Sequence, residues 1–232
     1  MKTYKHLFFD MDQTIAPARQ MMLLKMFNYL TSLSQDIIVV SGSSIEQMPN
    51  QLGTLRSFRL GQNGNHAIDM EGTELWNVPL QEHHRTEILD HISQIVEILE
   101  HDLNHEWNPI EDRGAQITFS PIGNTAPLDL KKTYDPDRSK RLSLLDKIPF
   151  ASEDLVEKIG GSTSLDYIHK DRHKGTNVQK LIDYMKWEKD ECVYFGDGLY
   201  PGGNDEAVIG VIETIAVDDH LDCYNKLQEL IG

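Results

Sequence analysis

Short, continuously apolar segments recur near both ends of the chain, and small or acidic residues follow each one. Residues 7–10, 37–40 and 192–195 are of this kind, which is typical of strands buried on both faces of a parallel sheet. Apolar residues at helical spacing lie between them. They predict one helix that Pro17 opens and another that Thr176 caps. Strands alternating with helices indicate an open α/β sheet.

The middle third of the chain has a different pattern. An amphipathic helix is predicted from about 83 to 103, residues 107–120 and 162–168 alternate as half-buried strands do, and the charged text of 135–158 is compatible with helix. We therefore predict an α/β protein with a Rossmann-like parallel-sheet core and an inserted mixed α/β cap domain. The predicted core comprises residues 1–81 and 171–232, and the predicted cap comprises residues 82–170.

Composition excludes several classes of partner. The 232 residues include 22 basic and 37 acidic side chains, so a net charge of -15 makes nucleic acid and anionic membranes poor partners. No apolar run approaches the roughly 20 residues needed to span a bilayer, and Asp10 interrupts the first one. A cytoplasmic location is the expectation. Cys192 and Cys223 lack metal-type spacing and are expected to be reduced packing residues.

Four groups of polar residues lie at predicted strand ends or helix starts. They are Asp10 with Asp12 and Thr14, Ser41 with Gly42, Lys174, and Asp197 with Asn204 and Asp205. Acidic groups that converge from different strands are costly to hold together unless a cation cancels their charge. Mg²⁺ suits such an oxygen-only site because it leaves coordination positions for water and phosphate. No Gly-x-x-x-x-Gly-Lys loop is present, which argues against a P-loop nucleotide triphosphatase.

These motifs resemble those of the haloacid dehalogenase superfamily of phosphotransferases, type IIB cap subclass, and most of all those of eukaryotic-type phosphomannomutases. The Asp-x-Asp-x-Thr motif at 10–14 is followed by Pro-Ala-Arg-Gln at 17–20, as in that family. Two further segments match the family's cap: Ser-Pro-Ile-Gly at 120–123 and Gly-Gly-x-x-Ser-x-Asp at 160–166. Residues 195–205 match its metal loop.

The resemblance implies a role for each group. Asp10 would be the nucleophile that forms an aspartyl phosphate, and Asp12 would be the general acid and base. The ligands and supports of Mg²⁺ would be Asp10, the Asp12 backbone carbonyl, Asp197, Asn204 and Asp205. Phosphate binding would fall to Ser41, Gly42 and Lys174, and substrate binding to Arg19, Arg113, Ser164 and Asp166.

The chain departs from the family pattern at three positions. Asn124 and Lys131 replace two of the three arginines with which the mutases' caps bind phosphate, and Gln13 replaces a glycine. Arginine binds phosphate as a bidentate fork, which neither replacement can do. The departures favour a phosphatase of phosphorylated sugars or polyols, with a phosphohexose mutase as the alternative. A homodimer through the cap is also kept open.

A different class of function is indicated by the histidines of the predicted middle helix. His83, His84, His91, His101 and His105 could make this helix a metal-binding or interaction surface, because His101 and His105 share a helical face. No cysteine or carboxylate completes a zinc motif with them, so a solvated face is the expectation. A non-catalytic binding protein is the remaining alternative.

Overall fold

The computed structural model describes residues 3–99 and 105–231. The chain divides into two compact units. The first comprises Met1–Asn77 and Arg172–Gly232, and the second comprises Val78–Asp171.

Eleven strands and seven α-helices are formed by the described residues. In chain order they are β1 (His6–Asp10), α1 (Leu24–Ser32), β2 (Asp36–Val40), α2 (Pro49–Leu52), β3 (Phe58–Gly61), β4 (His66–Ile68), β5 (Glu74–Asn77), α3 (Glu82–Ile98), β6 (Ile110–Asp112), β7 (Gln116–Phe119), α4 (Leu128–Tyr134), α5 (Ser139–Lys147), β8 (Leu155–Gly160), β9 (Ser164–His169), α6 (Lys174–Met185), β10 (Cys192–Gly196), β11 (Glu213–Ala216) and α7 (His220–Ile231).

The first unit contains a seven-stranded sheet in the order β11-β10-β1-β2-β3-β4-β5. The five strands from β11 to β3 are parallel, and β4 and β5 continue the sheet antiparallel at one edge. Both faces are covered. Leu7 and Phe9 of β1 pack with residues of α1 and α7, and Phe8 points the other way, toward α6. The predicted parallel-sheet core is confirmed.

The second unit is a four-stranded antiparallel sheet, ordered β6-β7-β9-β8, with helices. Phe119 of β7 and Leu165 and Tyr167 of β9 form a hydrophobic cluster with the apolar face of α3, which includes Ile88. Alternation then places Asp166 on the opposite face of β9, because successive side chains of a strand point to opposite faces. This unit is the inserted mixed α/β cap.

Three local predictions are wrong. No helix starts at Pro17, since residues 11–23 form a loop before α1, and Arg19 has a φ of 55°, which a right-handed helix excludes. Thr176 is not the cap of α6. The helix begins at Lys174, and His173 and Thr176 form its reciprocal capping pair. Residues 155–158, the end of the stretch taken as helix-compatible, belong to strand β8.

Two further observations concern the predicted cysteines and membrane segments. Cys192 and Cys223 are free thiols buried in the first unit, as predicted. Among the described helices, none has the length and apolar character needed to cross a bilayer.

Candidate active site

The candidate site lies at the carboxyl ends of three neighbouring parallel strands. Asp10 is the last residue of β1, and its register partner on β2 is Val40, which directly precedes Ser41. Phe9 pairs with Phe195 of β10, so Asp197 follows one residue beyond the level of Asp10. Ligands of open α/β sheets bind at this edge. The fold therefore brings together the polar groups that follow three separate strands.

A buried group of three carboxylates and one ammonium forms the centre of the site. The carboxylate oxygens of Asp10, Asp197 and Asp205 lie within 4.8 Å of one another. The ammonium of Lys174, the first residue of α6, forms ion pairs with Asp10 and with Asp205, the latter at 2.7 Å. The Lys174 side chain is 2% exposed. Three acids against one base leave this group with excess negative charge.

Burial, together with this excess charge, shifts the pKa values of the group. Burial raises the pKa of Asp10 to about 8, against the opposing charge of Lys174 and with a further increase from Asp205. Burial also raises the pKa of Asp197, and Asp205 adds to this shift. Burial alone would lower the pKa of Lys174, but the charges of Asp10 and Asp205 raise it overall. The lysine is thus a fixed cation, and the acids lack a second one.

Asp205 is held by donors at both of its oxygens. Oδ1 accepts from Lys174 and from the hydroxyl of Tyr194 at 2.7 Å, and Oδ2 accepts from the backbone N–H of Gly198 at 3.1 Å. A side chain at position 196 would collide with Asp205, which explains the glycine at the end of β10. Tyr194 was not predicted as a site residue, because it lies inside a continuous apolar strand and its hydroxyl meets Asp205 only in the fold.

Thr14 links the first motif to the metal loop. Its hydroxyl accepts from the backbone N–H of Asp197 at 3.1 Å and approaches Asp197 Oδ1 at 3.4 Å. Thr14 is fully buried. This hydrogen bond connects the loop after β1 to the residue that follows β10.

Asp12 stands outside the group of three carboxylates. Its Oδ1 accepts from the backbone N–H of Arg19 at 2.7 Å and from the side-chain amide of Gln51 at 3.0 Å. Gln13, which stands where the family has glycine, has a φ of 60°, and its Oε1 accepts from the backbone N–H of Ala18 at 3.2 Å. The glutamine thus keeps the left-handed conformation that glycine adopts freely.

The remaining residues predicted for the first unit are placed as follows. Ser41 is buried, and its hydroxyl accepts from the backbone N–H of Ser43 at 3.1 Å, with Gly42 in the loop between them. Arg19 is exposed, and its guanidinium has no ion-pair partner among residues 3–99 and 105–231. Asn204 is exposed, packs against Gly198 and is not part of the carboxylate group.

In the cap, Arg113 and Asp166 each carry a buried polar atom without a hydrogen-bond partner. These atoms are Arg113 Nε and Asp166 Oδ1. Burial raises the pKa of Asp166, and the charge of Arg113 opposes the shift. Gly160, the register partner of Ser164, leaves the space that Asp166 fills, because a side chain there would collide with the carboxylate. These residues have unused hydrogen-bonding capacity on the polar face of the cap sheet.

Asn124 and Lys131, which we expected at positions where the family has arginine, are hydrogen-bonded to the cap's own backbone. The Asn124 amide donates to the carbonyls of Asn108, Pro109 and Thr118 at 3.1–3.3 Å. Lys131 is buried, and its ammonium donates to the carbonyl of Asn124 at 2.5 Å. Both side chains thus hold the segment that follows β7.

The expectation of a solvated histidine face is wrong for two residues of α3. His91 is buried, with Nε2 at 3.0 Å from the carbonyl of Ile148 and Nδ1 at 3.0 Å from the hydroxyl of Tyr167. His84 is also buried, and its Nδ1 accepts from the backbone N–H of Gln81. Potential ligand atoms of His83, His84 and Asp154 lie within 4.8 Å of one another. His105 is exposed, and His101 lies outside the described residues.

Solved structures share this fold, and one of them is a haloacid dehalogenase-like hydrolase. SMU.1108c from Streptococcus mutans UA159 aligns with a TM-score of 0.67 at 17% identity, covering 99% of each chain. A haloacid dehalogenase-like hydrolase from B. subtilis aligns with a TM-score of 0.64 at 14% identity, covering 92% of this chain and 89% of the hydrolase. At such identities the likeness shows the fold.

Sequence relatives are more specific. A phosphomannomutase from Oryza sativa subsp. indica is 25% identical over 222 residues, which cover 89% of this chain and 87% of the relative. The phosphomannomutase of Arabidopsis thaliana is 25% identical over 224 residues, with coverage of 89% and 87%. The model of the family described as eukaryotic phosphomannomutase matches residues 25–231. The chain is therefore an enzyme and belongs to the eukaryotic phosphomannomutase family.

Proposed function

We propose that the protein is a Mg²⁺-dependent phosphatase of phosphorylated sugars or polyols, with Asp10 as its nucleophile. The observation that carries this proposal is the buried group of Asp10, Asp197, Asp205 and Lys174 at the strand ends. When all four are ionised, three negative charges face one positive charge. A divalent cation would balance the difference, and a phosphate group is then no longer repelled.

The donors present fit Mg²⁺. They are oxygen atoms, which Mg²⁺ prefers, and three carboxylates lie within 4.8 Å of one another beside the one ammonium of Lys174. Asp10, Asp197 and the backbone carbonyl of Asp12 would hold the ion, which when bound would screen charge and act as a Lewis acid toward the phosphoryl oxygens. Both oxygens of Asp205 accept protein hydrogen bonds, so this residue would support the site through Lys174, and Asn204 would act through water.

The proposed reaction has two steps. A carboxylate oxygen of Asp10 attacks phosphorus, the bond between phosphorus and the sugar oxygen breaks, and Asp12 gives its proton to the leaving oxygen. Water then attacks the aspartyl phosphate and passes a proton to Asp12, so that inorganic phosphate leaves and the Asp10 carboxylate is restored. Ser41, the Gly42 backbone and Lys174 would bind the phosphoryl oxygens.

The surroundings of Asn124 and Lys131 favour hydrolysis over the mutase reaction, in which the phosphoryl group is transferred to another hydroxyl of the sugar. A mutase must retain a sugar bisphosphate while it turns, which requires strong binding of the phosphate distant from the nucleophile. In this chain one of the two residues is uncharged and the other is buried against a backbone carbonyl. Neither offers the bidentate fork of arginine. We infer that a bisphosphate is held weakly and that water resolves the aspartyl phosphate.

Recognition of the sugar or polyol is assigned to the cap residues Arg113, Ser164 and Asp166. The unpartnered atoms Arg113 Nε and Asp166 Oδ1 provide a donor and an acceptor for hydroxyl groups. A buried polar atom without a hydrogen-bond partner costs free energy. A hydroxylated ligand that forms hydrogen bonds with both atoms would remove this cost when it binds. Arg19, with its exposed guanidinium, would add a cation for the substrate phosphate.

Membership of the phosphomannomutase family favours a second candidate, a phosphohexose mutase. One assay separates the two. The enzyme is incubated with mannose 1-phosphate or glucose 1-phosphate and Mg²⁺, with and without the corresponding 1,6-bisphosphate, and free phosphate and the 6-phosphate isomer are measured together. Phosphate release that is independent of the bisphosphate supports the phosphatase. Isomer formation without phosphate release would establish the mutase instead.

A further inference from the structure

Gln51 lies beside Asp12 although 39 residues separate them in the sequence. It is 6% exposed and is the third residue of the short helix α2. Its side-chain amide donates to Asp12 Oδ1 at 3.0 Å and lies 3.4 Å from the carbonyl of Pro17. Its own carbonyl accepts from the backbone N–H of Met22 at 2.8 Å. A single residue therefore contacts the beginning, the middle and the end of the loop after β1.

The loop needs such contacts because its backbone is strained. Gln13 and Arg19 both have left-handed φ values, 60° and 55°, and each such conformation costs a non-glycine residue on the order of 1 kcal/mol. Strained residues persist only where surrounding contacts determine them. Asp12 lies between β1 and this strained loop, so its carboxylate is not fixed by regular secondary structure.

The two donors to Asp12 differ in origin. The backbone N–H of Arg19 belongs to the same loop as Asp12, whereas the side-chain amide of Gln51 comes from helix α2, outside that loop. Both donate to Oδ1. For Oδ2, the described part of the chain shows no protein hydrogen bond. The two hydrogen bonds therefore hold Asp12 Oδ1, and Oδ2 can accept a hydrogen bond from a ligand or donate one to it.

We propose that Gln51 is a positioning residue, which fixes the Asp12 carboxylate so that Oδ2 faces the leaving oxygen. The inference rests on the proposed role of Asp12 as acid and base. Supporting residues that orient a reacting group typically contribute 10–100-fold to activity. A loss of orientation should act on proton transfer and leave substrate binding unchanged.

The test compares two substrates of different leaving-group quality. Gln51→Met keeps the length and burial of the side chain but removes the donor. With a hexose phosphate, whose alkoxide needs a proton, we expect kcat to fall about 10–100-fold at unchanged KM. With p-nitrophenyl phosphate, whose phenolate leaves unprotonated, we expect kcat/KM, which reports the formation of the aspartyl phosphate and not its hydrolysis, to change less than about threefold. Gln228→Met, on the exposed face of α7, is the matched control and should change neither rate.

A double variant shows whether Gln51 acts through Asp12. In the Asp12→Ala background, Gln51→Met should cause no further loss with the hexose phosphate. Equal losses with both substrates, or an additional loss in that background, would overturn the inference. If Gln51→Met does not fold, the isosteric Gln51→Glu replaces it, with the same selective loss expected. Wild-type enzyme without turnover of either substrate would refute the proposed function, whereas full activity of Asp12→Ala would refute the role on which the inference rests.

Discussion

Replacing Lys174 by methionine tests the charge balance on which the proposed site depends. The lysine is the ammonium that pairs with both Asp10 and Asp205, and its side chain, like theirs, is at most 5% exposed. Methionine fills a similar volume without charge. The variant therefore leaves two buried carboxylates without their cation while the packing around α6 is largely kept.

The expected loss of stability is large. Removing one partner of a buried ion pair costs about 3–5 kcal/mol, because the remaining charge is buried and unpaired. For a protein of this size, each kcal/mol lowers Tm by roughly 2–4 °C, so a decrease of about 6–20 °C is expected. Lys226→Met is the control. Its pair with Asp222 is partly exposed and one helical turn apart, which is worth about 0.3–0.5 kcal/mol, or about 1–2 °C.

Thermal unfolding of both variants is measured in EDTA and again in Mg²⁺. We expect Mg²⁺ to raise the Tm of Lys174→Met more than that of the wild type, because the variant site has lost its own cation. The Lys226→Met variant should respond to Mg²⁺ as the wild type does. A decrease for Lys174→Met no greater than that for Lys226→Met would show that the three carboxylates do not need the lysine charge, and the electrostatic argument would fail.

Three further predictions concern the nucleophile, the cap ligand and the pH dependence of the cap. Asp10→Asn should reduce phosphate release at least 100-fold, and retention of a tenth of the wild-type rate would disprove its role as nucleophile. Asp166→Ala should raise KM about 10–100-fold for a hexose phosphate but not for p-nitrophenyl phosphate, since a hydrogen bond to a charged group is worth about 1.5–3 kcal/mol; equal effects on both substrates would contradict sugar recognition. Burial would raise the pKa of Asp135, but hydrogen bonds from Arg141 and two backbone amides outweigh it and hold the pKa below its usual value. This stabilisation is present above about pH 4 and is lost as the pH falls through the folded-state pKa of Asp135. The free energies of unfolding in urea of Asp135→Asn and of the wild type should therefore differ at pH 7 and converge near pH 2.

The fold was predictable where burial alone determines the pattern. Residues 7–9, 37–40 and 192–195 are apolar on both faces, and all three segments lie in inner strands of the core sheet. The prediction failed where local contacts override such patterns. Pro17 is a good first residue for a helix, yet the residues after it bond to Asp12 and Gln13, and Arg19 has a left-handed backbone.

The candidate site divides in the same way. Asp10, Lys174 and Asp197 could be predicted because each ends or follows a strand or begins a helix, whereas Asp205 was expected from the resemblance of residues 195–205 to the metal loop; the fold brings all four side chains together. Gln51 could not be predicted as a site residue, because the sequence around it is that of an ordinary short helix. Its contact with Asp12 depends on how the loop after β1 folds back. Tyr194 is hidden by its apolar neighbours, and no sequence signal distinguishes its hydroxyl from that of a core tyrosine.

The family membership and the cap departures bear on different steps of one reaction. In the proposed reaction, formation of the aspartyl phosphate depends on the carboxylate group of the core, where the expected motif residues Asp10, Asp197 and Asp205 lie together. On the same proposal, the fate of that phosphoryl group would depend on whether the cap binds a second phosphate, and in the cap Asn124 and Lys131 bond to backbone carbonyls. On the proposed function we therefore expect this member of the eukaryotic phosphomannomutase family to hydrolyse its substrate, because Asn124 and Lys131 would leave water, and not a sugar hydroxyl, to receive the phosphoryl group.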